Sequence, residues 1–323
     1  MVEVIHLHTP VAAQRPPPQA LSALIERCRG EPPVVTAVCY PGSEAALEGA
    51  IEAAQAGLIE PLLVAPRAVL APLAARCKID LSGYRLIEVG SEAEAAARCV
   101  ALCRSGEAQA LMKGSLHTDT MMHEVLRHDG GLRGSRRISH VYIMDAPAYP
   151  RELLITDAAI NIAPTLEDKV GIVQNAIDLA HALGVAEPRV AILSAVETVN
   201  PKIQSTLDAA ALCKMAERGQ IRGGILDGPL AFDTAVSAEA AAIKHLQSPV
   251  AGCADIVVVP SLEAGNMLAK QLEYLGGARA AGIVLGATVP IVLTSRADSP
   301  ASRLASCAVA KRYARYHLGA TGE

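Results

Sequence analysis

From Val34 onward, short apolar runs alternate with longer segments of helical pattern, and this rhythm most constrains what the chain can fold into. Strand-like runs stand at Val34–Cys39, Pro61–Ala65, Arg85–Val89 and Ala108–Met112. Between them lie helical patterns with readable ends: Ser43 to Gly57, and Ser91 with Glu94 as a capping box, closing at Gly106. Such alternation predicts parallel strands joined by crossover helices. Composition agrees with this. The chain is 51% hydrophobic but only 2% aromatic, with no Trp and one Phe, so its core is built from Ala, Val, Leu and Ile. Those residues suit a sheet covered by helices on both faces.

The texture changes at Gly130–Arg137, a Gly- and Arg-rich loop. Ile138–Met144 and Arg151–Ile155 then read as two strands of a hairpin around a Pro-containing turn. A long helix starts at Thr165, boxed by Asp168, and runs to Gly184. Further strands are expected near Arg189–Leu193, Gly223–Leu226, Asp255–Val259 and Ala280–Leu285, with helices near 202–218, 237–247 and 264–276. A chain of 323 residues exceeds what one core usually serves. We therefore expect two doubly wound α/β domains: residues 1–137 with 288–323 as a discontinuous first domain, and 138–287 as the second.

Several function classes are disfavoured. Net charge is −4, so no global basic field recruits nucleic acid or anionic lipid, and few aromatics are available to stack on bases. Eight Cys occur without a C-x-x-C pair, which suits neither a metal set nor a disulfide framework. No signal peptide is expected, and no apolar run reaches membrane-spanning length. These features predict a reduced, cytoplasmic protein that holds no metal.

The candidate chemistry gathers at strand ends, where open α/β sheets bind ligands. The apolar run Val289–Leu293 empties into Thr294-Ser295-Arg296-Ala297-Asp298-Ser299-Pro300, and a helix follows. Ser299 suits the N-cap and Pro300 the first helical position. A hydroxyl, a guanidinium and a carboxylate from Ser295, Arg296 and Asp298 thus reach a helix mouth that favours anions; the alternative is a capped helix whose Arg296 is a solvated surface residue. Other strand ends offer Lys113, Gly114, Ser115 and His117; Asp157 and Asn161; Ser194; Asp227 and Gly228; and Glu263, Gly265 and Asn266. Structural alternatives stand beside these: Asp157 and Asn161 as turn caps, Gly265 as a packing glycine, His117 as a loop histidine. Arg133, Arg136 and Arg137 either grip phosphate groups or form a solvated loop. Lys311, Arg312 and Arg315 are expected to complement the dipole of the final helix.

Ser248-Pro249-Val250-Ala251-Gly252-Cys253-Ala254-Asp255, followed by Pro260-Ser261-Leu262-Glu263-Ala264-Gly265-Asn266, resembles the S-P-V-A-G-x-A-[ND]…P-[DS]-L-x-[AC]-G-N pattern of the phosphate acetyltransferase and butyryltransferase family. Leu153–Asn161, Val190–Ser194 and Ser295-Arg296 fall in the family's order, and the likeness extends from about Val34 onward. Thr294–Ser299, read T-S-R-A-D-S, is closer to the butyryltransferase branch. The resemblance implies two α/β domains around a cleft, similar to isocitrate dehydrogenase-like enzymes, in a homodimer or higher homo-oligomer. It implies reversible acyl transfer between coenzyme A and inorganic phosphate, with no cofactor beyond those substrates. Ser295 would hydrogen-bond the sulfur or the reacting carbonyl, and Arg296 would bind the phosphoryl group.

Two departures from the family pattern stand out. The acetyltransferases carry an Asp seven residues after the active-site Ser, as base for the thiol; that position here is Ser302, leaving Asp298 either as an alternative base by proximity or as a residue supporting the helix N-terminus. A family Arg after the segment matched by Gly114–Thr120 falls here in Met122-His123-Glu124, with Arg127 a few residues late. Arg137 or its neighbours would take over phosphate binding. Two rivals remain: a protein that binds CoA or acyl phosphate without catalysis, and a metal-dependent hydroxyacid dehydrogenase on the same fold. The second fits poorly, because Asp145, Asp157, Asp227 and Asp233 are scattered and no G-x-G-x-x-G joins a strand to a helix.

Overall fold

The computed structural model describes residues 20–293 and 298–320. Helix α1 (Ala20–Arg29) precedes β1 (Val34–Cys39), and three crossovers follow: α2 (Glu44–Gln55) to β2 (Ile59–Val64), α3 (Arg67–Cys77) to β3 (Arg85–Ile87), and α4 (Glu92–Arg104) to β4 (Ala110–Lys113). After α5 (Thr118–Leu126) come the hairpin strands β5 (Ser139–Asp145) and β6 (Leu153–Thr156). Then follow α6 (Leu166–Leu183), β7 (Arg189–Leu193), α7 (Gln204–Glu217), β8 (Ile225–Leu230), α8 (Phe232–Val236) and α9 (Ala238–Ile243). The chain closes with β9 (Ile256–Val258), α10 (Leu262–Tyr274), β10 (Arg279–Leu285), β11 (Ile291–Val292) and α11 (Pro300–Ala320).

The helix ends follow their capping residues. Thr165 and Asp168 form the reciprocal box, and Gly184 closes α6 at φ 100°. At α4 only half of the expected box forms. The Ser91 hydroxyl accepts from Glu94 N–H at 3.2 Å, but the Glu94 carboxylate turns to Gly90 N–H at 2.7 Å. Helices α3 and α5 lie outside the sequence expectation: Pro72 interrupts the first, and the second starts at His117, which makes no side-chain cap.

All strands join one sheet in the order β3-β2-β1-β4-β11-β10-β5-β6-β9-β7-β8. The two flanks are parallel, as expected. The centre is not: β10 runs antiparallel to both β11 and β5, and β5 antiparallel to β6. The links after Asp145 and after Leu285 are too short for a crossover helix, so those strands must turn back on themselves.

Helix α11 covers the centre of the sheet, burying Ala305, Cys307, Ala308 and Val309. Lys311 departs from the dipole role. It is 1% exposed, and its Nζ donates to the carbonyls of Cys28 at 2.6 Å, Glu31 at 2.8 Å and Gly57 at 2.9 Å, tying α1 and α2 to α11. Arg312 and Arg315 clasp the Glu31 carboxylate beside it at 2.8 and 3.1 Å. Among the described residues no helix is long and apolar enough to cross a membrane.

Candidate active site

Strand β11 is so short that it makes a single pair with β10, Ile291 opposite Val284. Past that pair Gly282 N–H donates to the Ser306 hydroxyl of α11 at 3.0 Å. Here a cavity of about 360 Å³ opens over the face of β5 and β10. Alternation along β5 turns His140 and Tyr142 to this face. Opposite Tyr142 stands Gly282, where a Cβ would lie 3.0 Å from His140 Nε2, so the floor stays low only without a side chain.

One wall comes from β4 and α5. Lys113 is 8% exposed, lines the cavity, and donates to the Gly114 carbonyl at 3.3 Å. Gly114 packs so closely on the end of β1 that a Cβ there would meet the Tyr40 carbonyl oxygen at 2.3 Å. Ser115 locks the same turn, donating to Tyr40 O at 3.1 Å and accepting from Gly42 N–H at 3.0 Å. His117, exposed at the N-cap of α5, lines the cavity with Thr118. The facing wall carries Glu273 from α10 and Asp298, Ser302 and Ser306 from the start of α11. Ser299 caps α11 as expected, its hydroxyl accepting from Ser302 N–H at 3.1 Å.

The electrostatics divide the lining sharply. Burial pushes His140 down to about 4, with Asp157 pulling weakly upward, so the ring is neutral near pH 7. Its Nδ1 is buried with no hydrogen-bond partner among the described residues. Burial pushes Tyr142 up to about 12, helped by Asp298 and Glu273, and keeps its hydroxyl protonated. Glu273 is raised above the usual carboxylate range, first by burial and then by Asp298, with Lys270 opposing.

Other candidates lie elsewhere. The Asp157 carboxylate accepts from the N–H groups of Ala159, Ile160 and Asn161 at 3.0, 3.1 and 3.1 Å, so it caps the turn after β6. Asn161 donates to Ile138 O at 2.8 Å and accepts from Arg137 Nε at 2.6 Å. Gly265 is a packing glycine, since a Cβ there would meet Val259 Cγ2 at 2.8 Å and Asp157 O at 2.9 Å. Asn266 donates to Ala158 O at 3.3 Å, and Glu263 is exposed on the first turn of α10. Asp227 and Gly228 sit on β8, the outermost strand, away from the cavity lining. Asp227 accepts from Gly228 N–H at 2.8 Å, and a Cβ at Gly228 would meet Ile192 O at 2.7 Å. Ser194 pairs with Ser205 at 2.8 Å.

The arginine loop forms its own groove of about 760 Å³, where Arg136 pairs with Asp178 and Arg137 with Asp168 at 3.4 Å. Arg127 is held by Glu124 at 3.0 Å. Ser295 and Arg296 lie outside the described residues. Among the described residues no cluster of His, Cys, Asp or Glu could hold a metal ion. Sequence reasoning passed over His140, Tyr142, Glu273 and Gly282. The His-x-Tyr alternation in β5 was the available signal, but not which face it would line.

The profile of the phosphate acetyl/butaryl transferase family matches residues 91–310, a span that holds every residue lining the cavity. The chain belongs to this family. It is 62% identical to a phosphate acetyltransferase of Rhizobium meliloti, over 92% of this chain and 94% of the relative. A phosphate butyryltransferase of Clostridium beijerinckii is 40% identical, over 89% of this chain and 95% of its own length. The crystal structure of a branched-chain phosphotransacylase from Enterococcus faecalis V583 superposes with a TM-score of 0.77 at 32% identity, covering 87% of this chain and 99% of that one. The expected α/β fold of the family is thus the fold observed.

Proposed function

We propose that this chain catalyses reversible transfer of a short acyl group between coenzyme A and inorganic phosphate in a ternary complex. The observation that carries this reading is a family-spanning cavity with Lys113 on one wall and carboxylates on the other. Acyl transfer to a thiol needs those two groups: a cation for the departing phosphate and an acceptor for the thiol proton. The thiolate attacks the acyl carbon, the C–S bond forms, and the C–O bond to phosphate breaks. Lys113 offsets charge on the phosphoryl oxygens, joined by Arg296 and Ser295. Asp298 stands on the proton-accepting side. Direct transfer of this kind calls for no metal or redox cofactor.

In this reading residues 1–137 with 288–323 supply Lys113 and Asp298, and residues 138–287 supply His140, Tyr142 and Glu273. Acetyl is the first acyl group to try, because the 62% identical relative is named for it; butyryl is the second, on the T-S-R-A-D-S sequence and the 40% identical relative. A cytoplasmic setting is supported by eight free cysteines. A homodimer is supported by Met267, Tyr274 and Leu275, exposed together on and after α10.

The test is CoA release from acetyl-, propanoyl- and butanoyl-CoA with phosphate. Turnover with at least one donor and no change in nicotinamide absorbance supports the proposal; no turnover with any donor overturns it. Arg296→Ala should abolish CoA-dependent phosphate release from acyl phosphate while the fold persists, and full activity would remove Arg296 from the mechanism.

A further inference from the structure

The acyl-transfer reading leaves its proton acceptor open, because Ser302 occupies the family's Asp position. The Ser302 hydroxyl lies on the cavity wall, 3.0 Å from Ser299 Oγ, and cannot take a thiol proton. The acidic residues lining the cavity are Glu273 and Asp298. We propose that Glu273 is the general base for the CoA thiol, and that Asp298 acts on it from the same wall of the cavity.

Three observations separate Glu273 from the other lining groups. It stands in the last turn of α10, where the helix dipole disfavours an anion and so makes a carboxylate a stronger base. No hydrogen bond or ion pair holds it among the described residues, unlike Asp157 with its three N–H donors. The groups near it are Asp298 on the same wall, the Tyr142 hydroxyl on the strand face, and Lys270 and Tyr274 on its own helix. Burial and Asp298 outweigh Lys270, so its basicity moves toward that of a thiol.

The neighbouring groups do not suit the role. His140, held near 4 by burial, is too weak a base. Tyr142 stays protonated to about 12 and can only donate. Lys113 belongs to the phosphate side. His140 supplies an independent sign of a ligand beside this wall: it lines the same cavity, and its buried Nδ1 has no hydrogen-bond partner among the described residues. A bound thiol or acyl group would satisfy it.

In the forward step the S–H bond of CoA breaks as an O–H bond forms on Glu273. The thiolate then forms the C–S bond while phosphate leaves with the electron pair of the broken C–O bond. In reverse, Glu273 returns its proton to the departing CoA sulfur.

The experiment measures acetyl phosphate and CoA turnover against pH for wild type, Glu273→Gln and His117→Asn. Glu273→Gln should lose about 10²- to 10⁴-fold in kcat, keep both KM values within about threefold, and lose the acid limb of the kcat–pH profile. Its thermal midpoint should match wild type, and formate should restore turnover to Glu273→Ala. A Glu273→Gln variant within about threefold of wild-type kcat overturns the assignment, as does disappearance of the acid limb in His117→Asn instead. Wild-type turnover decides the acyl-transfer reading separately; an inactive wild type overturns both.

Discussion

Two polar corners of this molecule look alike in sequence and differ in what their side chains do. The corner after β6, with Asp157, Asn161, Gly265 and Asn266, turns its polar atoms inward onto backbone groups of Ala158, Ala159, Ile160 and Ile138. Lys113, His140, Glu273 and Asp298 instead line a cavity. A polar side chain at a strand end either completes the fold or meets a ligand, and hydrogen-bond accounting separates the two.

The largest effect should come from the cavity side. Lys113→Met keeps the apolar stem of a nearly buried residue and removes only the charge. Loss of one preorganised cation should lower kcat/KM for acyl phosphate about 10²- to 10³-fold with little change in thermal midpoint. A variant that loses stability in proportion to activity would move Lys113 to the structural side of the comparison.

The opposite corner should respond in the opposite way. Asp157→Ala leaves three backbone N–H groups and the Asn161 side-chain amide without this acceptor in a site 3% exposed. Removing buried partners of this kind costs about 3 kcal/mol, read as a lower denaturation midpoint. Turnover per folded molecule should stay within about tenfold, since α10 is displaced only indirectly. Unchanged stability with abolished turnover would return Asp157 to the catalytic set.

Much of the fold was legible because its signals are local. Ser43, Thr165, Gly184 and Ser299 mark helix ends through contacts within a few residues, and β1 and β7 fall on the expected residues. Helix α3 was not, because Pro72 breaks its pattern and no side chain caps its start. The antiparallel centre of the sheet was also hidden. It depends on β5 meeting β10, more than a hundred residues later, and the hairpin signal revealed only the β5–β6 edge. The cavity inherits that difficulty: His140, Gly282 and Glu273 meet only once β10 lies between β5 and β11.

Asp227 sharpens the comparison from its quiet end. By sequence it closes a strand with Gly228 and Pro229, the same pattern that made Lys113-Gly114 a candidate. The strand order separates them: β4 adjoins β11 near the centre, while β8 is the last strand of the sheet. Asp227 accepts from its neighbour Gly228 N–H at 2.8 Å, and a Cβ at Gly228 would meet Ile192 O at 2.7 Å. Asp227→Asn keeps an oxygen for that N–H and removes a charge on a partly exposed edge, where such changes stay within about 0.5 kcal/mol. Turnover should therefore remain within about threefold of wild type across the acyl donors. A large fall in kcat with an unchanged melting curve would mean that the edge strand reaches a substrate, and that position in the sheet does not sort ligand-facing residues from structural ones.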